Sequence, residues 1–118
     1  MPILERAACN PVLEPRPGEW DSYSTFNPGA IRHDGRIWML YRAVSEEGEY
    51  LSRFGLAVSD DGRRFERVVD EPVFEPRRAY EHGGVEDARI TPDPEGDGFL
   101  VAYAAVSKLP GPVYEEME

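Results

Sequence analysis

The segment NPVLEP at Asn10–Pro15 returns as EPVFEP at Glu71–Pro76, 61 residues later. Two further pairs follow at nearly the same spacing. NPGAI at Asn27–Ile31 matches EDARI at Glu86–Ile90 with an offset of 59, and IWMLYRAV at Ile37–Val44 matches FLVAYAAV at Phe99–Val106 with an offset of 62. Trp20 and Tyr80 hold similar places between the paired motifs. A period near sixty that carries about four strands is the pattern of a β-propeller blade, and it weighs against a sandwich.

The local pattern agrees with strands. In RIWMLYRAV, Ile37, Met39 and Tyr41 fall on one face and Trp38, Leu40 and Arg42 on the other, so both faces of this strand are expected to be covered. Asp34-Gly35, Asp61-Gly62 and Asp97-Gly98 each sit between strand-like runs, and this dipeptide favours tight hairpins because type I′ turns need positive φ at both central positions. No window sustains a helical stripe. The fold class is therefore all-β, with about one and a half propeller blades. Residues 1–26 form a leading segment, 27–70 a first blade, and 71–118 a linker with the first half of a second blade.

Propellers close with roughly four to eight blades. A half blade leaves strand edges unpaired. The chain thus reads as a fragment that needs further C-terminal blades, or as a piece that assembles into a homo-oligomer. The net charge of -10 argues against nucleic acid or an anionic membrane as partner. The lone Cys9 forms no internal disulfide, no apolar run reaches membrane-span length, and MPILERAACNP has no signal-like core. A cytoplasmic setting is expected.

On the blade reading, Asn27–Ile31 and Glu86–Ile90 are the starts of innermost strands, which line a propeller's central channel. Arg42 returns beside Asn27 on the next strand. Alternation puts Asp87 and Arg89 on one face and Glu86 on the other with Ala88 and Ile90. A carboxylic acid in a partly desolvated cleft can protonate a leaving glycosidic oxygen, and arginine's fork of donors suits phosphate or sugar hydroxyls. Glu-Asp beside glycines is more often just a solvated turn, and only the repeat lifts the pair above that reading.

Together, FNPGA, LYRA and GVED(A)R, in their order along Asn10–Val106, resemble the N-terminal part of glycoside hydrolase family 130, the five-bladed β-mannoside phosphorylases and hydrolases. The resemblance implies Asp87 as proton donor and a substrate-binding role for Asn27 and Arg42, with Glu86 and Arg89 as motif neighbours. It also implies an oligosaccharide substrate of the mannoside type, inorganic phosphate as co-substrate and attacking group, and no cofactor or metal. Ala88 replaces the family's usual proline. The rival expectation is a non-catalytic carbohydrate-binding or self-assembling module. A two-carboxylate sugar hydrolase fits less well, because the first blade offers Asn27 where a second acid is needed.

Other motifs carry less. DPEGDG at Asp93–Gly98 opens like a calcium loop but has Ala104 at the closing glutamate position. His33 and His82 have no second ligand at metal spacing. Trp20, Tyr23, Phe26 and Tyr80 are expected mainly to pack the core.

Overall fold

The computed structural model describes residues 2–46 and 50–107. Residues 108–118, assigned above to the linker and second blade, lie outside the described residues. Strands β1 (Ser24–His33), β2 (Arg36–Val44), β3 (Arg53–Ser59) and β4 (Glu66–Arg67) form one antiparallel sheet in chain order. Strands β5 (Gly84–Pro92) and β6 (Phe99–Val106) form a second, two-stranded sheet. A 3₁₀ turn, Ala79–Glu81, precedes β5. The all-β class and the count of one and a half blades stand.

The Asp-Gly pairs build three different turns. Asp34 and Gly35 have φ of 50° and 73°, the type I′ geometry that joins β1 to β2 with His33 opposite Arg36. At Asp61-Gly62 only the glycine is left-handed, and the Asp61 carboxylate instead accepts the backbone N–H groups of Arg63 and Arg64. Asp97-Gly98 closes a longer loop through Asp93 N to Gly98 O at 2.9 Å, with Asp93 Oδ1 accepting the Glu95 amide. Local carboxylate-to-amide bonds thus replace the expected tight turns at the second and third pairs.

Strand β2 is covered on both faces, as its sequence requires. Met39, Tyr41, Ala43 and Ala57 pack with Leu13, Trp20 and Phe65 on one side. On the other side Leu40 joins Phe54, Val85, Ala88, Phe74 and Tyr103, which glues the two sheets together. Each large side chain buried here contributes on the order of 2 kcal/mol of hydrophobic stabilisation.

The segment ahead of each sheet belongs to that sheet's core. Asp21 is fully buried; its carboxylate accepts from Arg16 Nε (3.0 Å), Arg67 Nε (2.9 Å) and Tyr41 Oη (3.3 Å). Sixty residues later Glu81 is also buried and accepts from Tyr103 Oη and from the backbone amides of Arg77 and Arg78. Leu13 packs beside Tyr41 as Phe74 packs beside Tyr103. The second unit thus repeats the first, including a buried carboxylate that the strand pattern alone did not reveal.

The aromatics divide. Trp20 stacks on Tyr41 at 5.9 Å and gives its indole N–H to the Asp70 carbonyl. Tyr23 and Tyr80 are 61% and 57% exposed, contrary to the expectation that they pack the core; they lie outside the strands, one just before β1 and one in the 3₁₀ turn.

Candidate active site

Two bulges create the site. The pairing of β1 with β2 shifts by one residue between Phe26 and Gly29, and that of β5 with β6 shifts likewise between Glu86 and Arg89. The extra residue in each strand is left-handed: Asn27 has φ 43° and Asp87 has φ 55°. Asn and Asp are the non-glycine residues that tolerate this region best.

The structural register between units is therefore 60 at this point: Phe26 corresponds to Glu86, Asn27 to Asp87, Pro28 to Ala88 and Gly29 to Arg89. This corrects the offset of 59, which had set Asn27 opposite Glu86. The bulge also modifies the strict alternation. Val85 and Ala88, three positions apart, share the inter-sheet core, while Asp87 and Arg89 point away from it.

Strands β1 and β5 run together at this place. A Cβ on Gly29 would fall on the Ala88 carbonyl, so only glycine lets the two backbones meet. The result is an open cleft of about 410 Å³ lined by Asn27, Pro28, Gly29, Ala30, Asp87 and Arg89. Asn27, Asp87 and Arg89 are exposed to it, and Arg89 Nη1 donates to its neighbour's carbonyl, Ala88 O, at 2.9 Å. A carboxyl group, an amide and a guanidinium thus meet on one polar wall: a proton donor or acceptor, a neutral hydrogen-bonding group and a fixed cation.

Arg42 and Glu86 stand beside this wall, paired with each other. Arg42 Nη2 donates to Glu86 Oε1 at 2.6 Å, its Nε donates to Ser52 Oγ at 2.7 Å, and its guanidinium lies 4.4 Å from the centroid of Phe26. Arg42 is only 9% exposed. The ion pair joins the first sheet to the second, one residue before the Asp87 bulge. Ser52 and Phe26 were not singled out by sequence as partners of Arg42. Phe26 could have been, since it directly precedes the bulge that Arg42 faces in the β1–β2 register.

His33 contacts Asp34 and the ring of Phe99 at the far end of β1, and His82 is exposed after the 3₁₀ turn; neither lines the cleft. Among the described residues no group of three His, Cys, Asp or Glu side chains is arranged to hold a metal ion, and no helix is long and apolar enough to cross a membrane. Cys9 is exposed.

The family model described as beta-1,4-mannooligosaccharide phosphorylase matches residues 4–108. The chain belongs to glycoside hydrolase family 130. Among family relatives, a 1,2-beta-oligomannan phosphorylase from Thermoanaerobacter sp. (strain X514) is 40% identical over 93 residues, covering 74% of this chain and 31% of the relative. A beta-1,2-mannobiose phosphorylase from the same organism is 35% identical over 100 residues, covering 75% of this chain and 33% of the relative. A solved family 130 structure, from work on glycoside hydrolases that target beta-1,2 mannosidic linkages in Candida mannan, superimposes with a TM-score of 0.77 at 35% identity. It covers 87% of this chain and 34% of its own. The chain spans about a third of the length of these family 130 relatives.

Proposed function

We propose that this chain supplies the acid-bearing wall of a β-mannoside phosphorylase, with Asp87 as proton donor. The observation that carries the reading is the convergence of Asp87, Asn27 and Arg89 on one open cleft in a chain of family 130. A phosphate oxygen attacks the anomeric carbon, the glycosidic C–O bond breaks, and the Asp87 proton reaches the departing oxygen, directly or through a sugar hydroxyl. Phosphate supplies the nucleophile, so a second enzyme carboxylate is not required. Asn27 and Arg89 serve as hydrogen-bond donors to the bound sugar or phosphate. No cofactor is needed; inorganic phosphate is the co-substrate. The names of the relatives favour a β-1,2 linkage over the β-1,4 linkage in the family description.

A second reading is hydrolysis, favoured by the similar structure from work on family hydrolases. Water then replaces phosphate and Asp87 keeps its role. The test is to assay the full-length protein that carries these residues on β-1,2- and β-1,4-mannobiose with and without phosphate. Phosphate-dependent release of mannosyl phosphate supports the first reading, and phosphate-independent release of mannose the second. No turnover of either disaccharide, with the sugar still bound, would leave the non-catalytic carbohydrate-binding module.

A further inference from the structure

We propose that Ser52 is a positioning residue for the acid-bearing strand, fastening Arg42 and β5 to the same point. This rests on the reading of Asp87 as the proton donor. Ser52 is fully buried immediately before β3, the third strand of the first sheet. Its hydroxyl accepts the Arg42 Nε–H at 2.7 Å, and its carbonyl accepts the Val85 N–H of β5 at 3.1 Å. A Cβ on Gly84 would come within 3.0 Å of the Ser52 amide nitrogen, so the serine and the glycine are in backbone contact.

The consequence is a closed chain of contacts. From Ser52 one path runs through the backbone to Val85. The other runs through Arg42 to Glu86, at 2.6 Å. Both paths end on the two residues immediately before Asp87, whose left-handed backbone marks the bulge. A guanidinium held at one edge alone can still pivot about that bond; here Ser52 on one edge, Glu86 on another and the Phe26 ring beneath fix its plane. Removing the Ser52 hydroxyl leaves the Val85 tether in place but takes away the Nε anchor, so the guanidinium can pivot on its bond to Glu86, which loosens Glu86 and then Asp87.

Ser59 supplies a control. It is likewise buried, at the end of β3, and its hydroxyl bonds within the Asp61 turn, accepting from Gly62 N at 2.8 Å and donating to Asp61 Oδ1. Ser52→Ala and Ser59→Ala are compared in the full-length protein by thermal melting, by mannoside turnover, and by NMR exchange of the Arg42 Nε–H. The expected result is that Ser52→Ala lowers kcat roughly 10-fold or more with KM changed less than about threefold, as a small misplacement of a catalytic group does. Ser59→Ala melts earlier but turns over normally. Arg42 Nε–H exchanges at least about 10-fold faster in Ser52→Ala than in Ser59→Ala, since a hydrogen-bonded donor has lost its acceptor. If Ser52→Ala does not fold, Ser52→Cys, which leaves no cavity and weakens the acceptor, is read in the same way.

Equal kcat losses in the two variants, or a Ser52→Ala enzyme within about twofold of wild type, would overturn the proposal. A wild type inactive on every mannoside refutes the catalytic reading instead. The Arg42 exchange rates then decide the positioning role alone: faster exchange confined to Ser52→Ala supports it, and equal rates overturn it.

Discussion

The hydroxyl of Tyr103 donates to the buried carboxylate of Glu81, repeating in the second sheet the bond from Tyr41 to Asp21 in the first. In both units the carboxylate comes from the segment ahead of the sheet and the tyrosine from the strand next to the innermost one. The two bonds therefore clamp each leading segment to its own sheet.

The Glu81 clamp gives the fold a pH dependence at both ends. The bond from Tyr103, followed by the Arg77 amide, holds the Glu81 carboxyl below its ordinary value of 4.5. The same bond raises the Tyr103 phenol to about 12 from an ordinary 10.0. A lowered acid contributes stability that is present above its unfolded value and lost as pH falls through the folded one. A raised phenol contributes stability that is present below 10 and lost as pH rises toward 12. Thermal melts across pH should decline below about pH 4.5 and again above about pH 10. Glu81→Gln should flatten both limbs and return Tyr103, followed by tyrosinate absorbance, toward 10; an unchanged Tyr103 titration would contradict the clamp.

Asp21 meets two arginines and a tyrosine with no exposure of its own. Asp21→Ala leaves Arg16 and Arg67 facing an empty site, and breaking such a buried pair costs about 3–5 kcal/mol. The expected outcome is a large drop in the denaturant midpoint. Asp70→Ala, which removes the exposed carboxylate that Arg16 also meets, should cost less than about 1 kcal/mol.

Gly29→Ala should be destabilising despite adding a better strand former. Its methyl meets the Ala88 carbonyl, so β1 and β5 must separate, at a cost on the order of 1–3 kcal/mol. Because the same contact frames the cleft, mannoside binding should weaken along with stability; calorimetric melting and sugar titration check the two effects.

On the proposed role of Asp87, Asp87→Asn removes the transferable proton and keeps the shape and the tolerance for left-handed backbone. Turnover of mannobiose should fall by roughly 10²–10⁴ with little change in melting temperature. Substrates with activated leaving groups should lose much less, since a good leaving group does not need the proton.

Much of the fold was legible because period and polarity speak directly. The sixty-residue recurrence gave the blades, and the two apolar faces of Ile37–Val44 gave a strand covered on both sides. Asn27, Asp87 and Arg89, which line the cleft, were named from the sequence, but their register was not legible. A bulge adds one residue to each innermost strand, and pattern matching at a fixed offset therefore set Asn27 against Glu86 when the backbone sets it against Asp87. Arg42 was assigned to the substrate, yet its partners Ser52 and Glu86 lie 10 and 44 residues away, distances at which no local pattern reports a contact. Asp21 and Glu81 were hidden for a related reason. Each sits in a charged, proline-containing stretch that looks like linker, and only the tyrosine brought over by folding makes it core.

The leading segments carry one more consequence, for the order of events during synthesis. Asp21 leaves the ribosome well before Tyr41 and Arg67, so its charge stays in water until the last strand of the first sheet has emerged. A polypeptide beginning at Ser24 would retain β1 to β4 and yet lack the anion around which Arg67 and Tyr41 are arranged. A unit with its buried carboxylate in place therefore begins upstream of its first strand, and each unit's starting point is the stretch that looks like the end of the one before.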